Sequence, residues 1–133
     1  MKLGDIKNNT TTEVEGVWMA YGGGMEIKLA RMSNPKFEEY LRKLLRPFRS
    51  KVADNSIADD TIEEMTNKAL ARYVLLNWKG LEDDEGTEVP YSEKKALELL
   101  SDKDFRDFNK DVQRMSMDRT AYRQEGIDDE SGN

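Results

Sequence analysis

The sequence predicts an α+β protein, mostly α-helical, in which an N-terminal β-hairpin packs on about four helices and the polar ends are disordered. Large and small or polar residues alternate with period two over residues 14–32, the pattern of a strand. From residue 35 onward, apolar residues recur at helical spacing. With 133 residues and 37% apolar content, one modest core is expected. We therefore predict a flexible N-terminus over 1–13, a single domain over 14–123 and a disordered acidic tail over 124–133.

The hairpin is predicted over residues 14–32, with its turn at Gly22-Gly23-Gly24. Glycine adopts the positive φ values of a tight hairpin connection without steric cost. Trp18 and Tyr21 fall on opposite faces of the first strand, so we expect one of them to be exposed. Aromatic side chains dominate binding hot spots, and both are therefore candidate partner-binding residues.

The first predicted helix covers about residues 35–49. Asn34 is a candidate N-cap and Pro35 suits the first helical position, while Pro47 should bend or end the helix near 46–50. One face carries six large apolar residues, namely Phe37, Tyr40, Leu41, Leu44, Leu45 and Phe48. The opposite face carries Arg42, Lys43, Arg46 and Arg49, which we call the basic surface and take as further candidate partner-binding residues.

Three more helices are predicted, over about 57–79, 92–101 and 102–122. The longest would end near Trp78, which we expect in the core, and an acidic loop would follow up to Pro90. Ser92 and Ser101-Asp102 are N-cap signals for the last two helices. The final helix would carry Phe105, Phe108, Val112 and Met115.

The composition argues against most enzyme classes. The chain has no Cys and no His, so the commonest transition-metal ligands and the usual general base near neutral pH are missing. The run Glu82-Asp83-Asp84-Glu85 does not fit a calcium loop, because counting back from Gly86 puts Leu81 at the first ligand position. We expect no catalytic residue, no metal and no cofactor.

Charge is unevenly distributed along the chain. Residues 1–51 carry 10 basic against 6 acidic residues, net +4, and residues 52–133 carry 11 against 21, net −10, which gives −6 overall. An acidic protein is repelled by phosphate backbones, and no aromatic platform is expected beside the basic surface. No stretch is long and apolar enough for a membrane span. Protein partners in the cytoplasm are therefore expected, with self-association possible, rather than nucleic acid or a membrane.

Three segments resemble a known family. They are residues 18–37 (Trp-Met-Ala-Tyr-Gly-Gly-Gly-Met-Glu-Ile-Lys-Leu-Ala-Arg-Met-Ser-Asn-Pro-Lys-Phe), Leu76-Asn-Trp-Lys-Gly-Leu and Gly86-Thr-Glu-Val-Pro-Tyr-Ser, followed by Ala96-Leu-Glu-Leu-Leu. Together they are similar to tail assembly chaperones of long-tailed, siphovirus-type bacteriophages. The resemblance implies a non-enzymatic protein of the bacterial host cytoplasm that binds the phage tape measure protein, keeps it soluble, helps recruit tail tube protein and is absent from the mature virion.

Three other functions remain open at this point. A small phage-encoded regulator or inhibitor of a host protein would share the size, the acidity and the lack of catalytic residue types. A nucleic-acid-binding module would depend on the basic surface. A hydrolase based on two carboxylates would have to choose among 27 acidic residues, none of which is marked by an apolar sequence environment.

Overall fold

The computed structural model describes residues 1–123, and it confirms the mixed architecture of an N-terminal hairpin packed on helices. The predicted tail over 124–133 lies outside the described residues. Three strands form the sheet: β1 (Val17–Gly22), β2 (Met25–Leu29) and β3 (Leu75–Lys79). The helices are α1 (Thr10–Glu15), α2 (Pro35–Leu45), α3 (Arg49–Ala53), α4 (Asp59–Tyr73), α5 (Glu93–Ser101) and α6 (Arg106–Met115). Short 3₁₀ turns cover Leu3–Ile6, Arg46–Phe48, Lys103–Phe105 and Thr120–Tyr122.

The sheet is antiparallel, and β2 lies between β1 and β3. The prediction of one helix over 57–79 is wrong, because α4 ends at Tyr73 and β3 follows after a single residue. In β3, Trp78 pairs with Ile27 and Leu75 with Leu29. A short apolar run is ambiguous between strand and helix, and here the distant pairing with β2 decides it. Trp78 is core, as predicted, with 4% of its surface exposed.

Helix α2 begins where the sequence predicts. The side chain of Asn34 accepts hydrogen bonds from the backbone N–H groups of Lys36 and Phe37, and its amide donates to the carbonyls of Arg31 and Tyr73. These bonds cap the helix and fix it to the end of α4. The helix was predicted to bend or end near 46–50: α2 stops at Leu45, one residue earlier, and α3 continues after a 3₁₀ turn that contains Pro47.

The N-terminus differs from the expected flexible lead-in over 1–13. Residues 10–15 form α1, because the side chain of Asn9 accepts a hydrogen bond from Thr12 N–H and caps the helix. Glu13 is bound to Arg31 through a 3.0 Å ion pair, and its carbonyl accepts from Arg31 N–H. The threonines at 10–12 show no helical pattern of apolar residues. The contacts between Glu13 and Arg31 join residues that are distant in the sequence, so the sequence alone did not indicate α1.

The core lies between the inner face of the sheet and α2, α4, α5 and α6. Its fully buried members include Ile27, Leu29, Leu70, Val74 and Val112. Tyr122 is also buried and donates a 2.9 Å hydrogen bond to the carbonyl of Leu29, which fixes the last described turn to β2. The predicted helix over 102–122 is therefore interrupted: α6 ends at Met115 and a turn brings Tyr122 back to the sheet.

Candidate functional site

An apolar hollow of about 220 Å³ opens at the end of the sheet where the hairpin turns. Its lining comes from four parts of the chain, namely the hairpin, the segment after β3, α5 and the start of α6. The lining residues are Tyr21, Met25, Leu81, Leu99, Phe105 and Phe108. Pockets that bind drug-sized ligands measure roughly 300–1,000 Å³, so this hollow suits a side chain or two rather than a small-molecule ligand.

Gly80 allows two walls of the hollow to meet. It has a φ of +77°, and a Cβ at this position would collide with the Gly24 carbonyl and lie 3.3 Å from the Cα of Met25. The next residue, Leu81, can therefore lie against Met25. The loop that follows is held in place by Leu81 and Trp78: the carbonyl of Leu81 accepts from Val89 N–H, and the Trp78 indole donates to the carbonyl of Val89, both at 2.8 Å.

Tyr21 joins the hairpin to α6. Its hydroxyl donates a 2.7 Å hydrogen bond to the Asp111 carboxylate, and its ring meets Phe108 edge to face with 5.3 Å between centroids. Burial, with the bond to Asp111, raises the pKa of Tyr21 to about 12. The same bond, together with Arg114, lowers the pKa of Asp111. At neutral pH the hydroxyl therefore stays a donor and is already engaged, which leaves the wall of the hollow essentially apolar.

Phe105 is the exposed member of the hollow. It keeps 45% of its surface exposed. Asp102 caps the 3₁₀ turn Lys103–Phe105 by accepting from Asp104 N–H at 2.9 Å. The helical stretch therefore starts with a 3₁₀ turn before α6. Phe105 lies in this turn, at the edge of the core.

The charged residues of α6 lie in two places. Asp111 borders the hollow, because it accepts the hydrogen bond of Tyr21, and Arg114 pairs with it at 3.2 Å. Asp107 directly precedes the lining residue Phe108. In contrast, Lys103, Arg106 and Lys110 line a separate cleft of about 450 Å³ between α4 and α6. The run Glu82–Glu85, which follows Leu81, is exposed. Its Asp83 side chain accepts from the N–H groups of Glu85 and Thr87, which makes it a turn, as predicted.

The floor of the separate cleft is polar. The Asn109 side chain donates to Asn67 Oδ1 at 2.9 Å and to the carbonyl of Leu100 at 2.8 Å, and both asparagines are buried. Gln113 in turn donates to Asn109. Every buried side-chain polar atom in the described part of the chain has a hydrogen-bond partner. This network therefore has a structural role, because it connects α4, α5 and α6.

The basic surface lies on the outer side of α2, the turn after it and the start of α3. Arg42, Lys43, Arg46 and Arg49 are all exposed, and within residues 1–123 none of them forms an ion pair. Contrary to the sequence-based expectation, aromatic rings do lie nearby, since Tyr40 and Tyr73 share a shallow depression with Lys43. Arg72 covers both rings, with its guanidinium carbon 4.9 Å from the Tyr40 centroid and 5.6 Å from that of Tyr73.

The two predicted hairpin aromatics lie on opposite faces, as expected, but neither is fully exposed. Tyr21 faces the helices, whereas Trp18 lies on the outer face of the sheet, where Lys79 Nζ is 4.0 Å from its ring centroid. Both are half-buried. Of the six predicted partner-binding residues, only Tyr21 lines the hollow, and the structure does not bring it together with Trp18 or the basic surface.

Sequence reasoning missed the hollow as a site. Leu81, Leu99 and Phe105 come from segments that are separate in the sequence, and only the fold joins them to Tyr21 and Met25. One signal was available: Asp104, Asp107 and Asp111 recur at helical spacing beside an aromatic pair. Among the described residues there is no cluster of three potential metal-ligating side chains and no helix suited to crossing a membrane.

Comparison with known proteins gives one family. A family model described as the YdaY prophage protein matches residues 32–133, which is more than half of the chain. The match contains Leu81, Leu99, Phe105 and Phe108 of the hollow but not the hairpin. No curated protein and no solved structure matches the chain. The match indicates a phage-derived protein, and the chain belongs to the YdaY prophage protein family.

Proposed function

We propose that this prophage-family chain is a non-enzymatic tail assembly chaperone that works in the cytoplasm of the bacterial host. It binds the phage tape measure protein, keeps it soluble, helps recruit tail tube protein and is left out of the mature virion. The prophage family supports the phage setting. The tail-specific part of the proposal comes from the resemblance carried by the hairpin, Trp78 and the Val89-Pro90-Tyr91 segment.

The observation that carries the proposal is the apolar hollow with Phe105 at its mouth. A preformed apolar recess with one exposed aromatic side chain is the usual form of a binding hot spot. The hydrogen bonds of Tyr21 and Trp78 hold its walls in place before any partner arrives, so little conformational entropy is lost on binding. A single small recess also gives a contact that later subunits can displace, which suits a chaperone.

The test is a tagged pull-down from phage-producing cells with three forms of the chain. They are the unaltered chain, Phe105→Ser in the hollow and Val52→Ser as the matched control, since Val52 is similarly exposed at 46% but lies on α3 beside the basic surface. We expect the tape measure protein to be recovered with the unaltered chain and with Val52→Ser. With Phe105→Ser we expect recovery to fall about tenfold, as for loss of one hot-spot side chain worth about 1.4 kcal/mol.

Other outcomes would contradict the proposal in distinct ways. Recovery of a host protein alone would indicate a phage-encoded regulator or inhibitor. Detection of the chain in finished virions would make it a structural tail component. Equal loss of the tape measure protein in both serine variants would place the contact elsewhere on the molecule.

A further inference from the structure

The charge around the hollow indicates which kind of segment it accepts. We infer that the hollow receives a cationic amphipathic helix, with one large apolar side chain inserted beside Phe105 and Lys or Arg residues of the same helix facing Asp107, Asp111 and the Glu82–Glu85 run. This inference rests on the proposed function, because it specifies the partner segment that the same site binds.

The interior of the hollow excludes a polar occupant. Its accessible lining is almost wholly apolar, and its one polar group, the Tyr21 hydroxyl, is already bound to Asp111 at 2.7 Å. A hydroxyl, amide or charged group placed inside would lose its water without gaining a hydrogen bond. The occupant must therefore be an aliphatic or aromatic side chain.

The border of the hollow adds a requirement for positive charge. Asp107 is exposed, as are Glu82, Asp83, Asp84 and Glu85, and within residues 1–123 none of these carboxylates has an ion-pair partner. Asp111 has one ion-pair partner, Arg114, whose side chain is 72% exposed and can therefore move away from the carboxylate. Arg106 and Lys110 of α6 lie instead at the cleft with α4, which leaves Arg114 as the α6 cation beside Asp111.

The spacing of the acidic groups favours a helix as the occupant. Asp107 and Asp111 are four residues apart on α6, which corresponds to roughly 6 Å at about 1.5 Å per residue. Cations spaced at i and i+4 on a partner helix have the same rise. An apolar residue between them would then face the hollow, as in other grooves that accept an amphipathic helix.

The test compares two synthetic helical peptides that share one Leu- and Phe-bearing face, one with Lys at the flanking positions and one with Glu there. Binding to the full chain is measured by calorimetry at low and at physiological salt. We expect the Lys peptide to bind at least about tenfold tighter than the Glu peptide, and the difference to shrink as salt screens the charges.

Variants distinguish the hollow from general attraction to an acidic protein. We expect Asp107→Lys combined with Glu82→Lys, and separately Phe105→Ser, each to weaken binding of the Lys peptide about tenfold or more. The matched control is Asp59→Lys with Glu63→Lys, which removes the same charge from the separate cleft and should change binding less than about twofold. Circular dichroism confirms that each variant is folded, and Asp107→Asn provides a milder second change.

Equal loss in the Asp59→Lys, Glu63→Lys control, no loss in Phe105→Ser, or equal binding of both peptides would overturn the inference. Self-association of the unaltered chain that Phe105→Ser abolishes, seen by sedimentation, would make the occupant a second copy and would also overturn it. If neither peptide binds while recovery of the tape measure protein still depends on Phe105, the inferred preference for a cationic helix is wrong and the proposed function stands. If the peptides bind as expected but no tape measure protein is recovered, the hollow is correct and the proposed partner is wrong.

Discussion

The apolar hollow and the basic surface differ in how they are made. The basic surface lies on α2, the turn that follows it and the start of α3, so its four cations are local in sequence and exposed. The hollow joins residues as far apart as Tyr21 and Phe108, and hydrogen bonds fix its walls. Exposed single charges mainly alter the rate of encounter, whereas a fixed apolar recess contributes binding energy. We therefore assign partner affinity to the hollow and only an effect on the association rate to the basic surface.

The largest effect is expected from Gly80→Ala, which should break the hollow while leaving the basic surface intact. The new Cβ collides with the Gly24 carbonyl, so the Leu81 wall must move away from Met25. We expect the free energy of unfolding to fall by about 3 kcal/mol or more, measured by urea denaturation. Gly23→Ala is the matched control, since Gly23 also has a positive φ but has open space around it, and should cost about 1 kcal/mol. Equal losses would mean that the close approach does not matter.

The second-largest effect is expected when a negative charge is introduced at the hollow, in comparison with the same charge beside the basic surface. Phe105→Asp should weaken partner binding by about 2 kcal/mol, roughly thirtyfold, because a carboxylate at the mouth of the hollow must be desolvated on binding. Val52→Asp, at a similarly exposed position beside the basic surface, should change it by less than about threefold. Surface plasmon resonance against the partner measures both, and the reverse order would transfer the binding site to the basic surface.

Tyr21→Phe should weaken the attachment of the hairpin to α6 while it keeps the apolar surface of the hollow. Loss of the bond to Asp111 should cost about 1 kcal/mol of stability. Because the pKa of Tyr21 is raised to about 12 in the folded chain, its contribution is present below pH 10 and is lost as the pH rises towards 12.

Absorbance titration of the phenolic groups checks this prediction. Burial also raises the pKa of Tyr91 to about 12 and raises that of Tyr122, so Tyr21→Phe should remove one of the late-titrating tyrosines. Asp111→Asn keeps an acceptor for the hydroxyl but removes the charge, and should leave that group in place at a lower pKa. An unchanged titration in Tyr21→Phe would mean that the hydroxyl is not buried against α6.

The smallest effect is expected at the basic surface. Arg46→Glu combined with Arg49→Glu should change the free energy of unfolding by less than about 0.5 kcal/mol, since neither side chain has a partner within the described residues. Because the inferred partner segment is cationic, the loss of these positive charges should speed partner association at low salt, with little change in the dissociation rate. Stopped-flow association at two salt concentrations measures this. A large increase in dissociation rate would place the contact on the basic surface.

Local signals explain which parts of the fold could be predicted from the sequence. The hairpin follows from alternation around a glycine turn, and the start of α2 follows from Asn34-Pro35, whose side chain forms the predicted cap. The strand β3 was missed because Leu75–Lys79 fits both a helical stripe and a buried strand. Only pairing with β2, more than forty residues earlier, decides between them.

The candidate site was less predictable for the same reason. Phe105 and Phe108 were assigned to one helix, yet Phe105 lies in a 3₁₀ turn before α6 and stays exposed beside Leu99. The charges of α2 were located correctly because a helix presents its faces locally. The hollow needed the tertiary contacts that Gly80 permits and that Tyr21 makes with α6.

The most direct test of the central claim is photo-crosslinking in phage-producing cells. A photoreactive phenylalanine analogue replaces Phe105 in one form of the chain and Val52 in another, and adducts are identified by mass spectrometry. The account predicts adducts of the tape measure protein from position 105 and few or none from position 52. Adducts from position 52 with none from position 105 would contradict it.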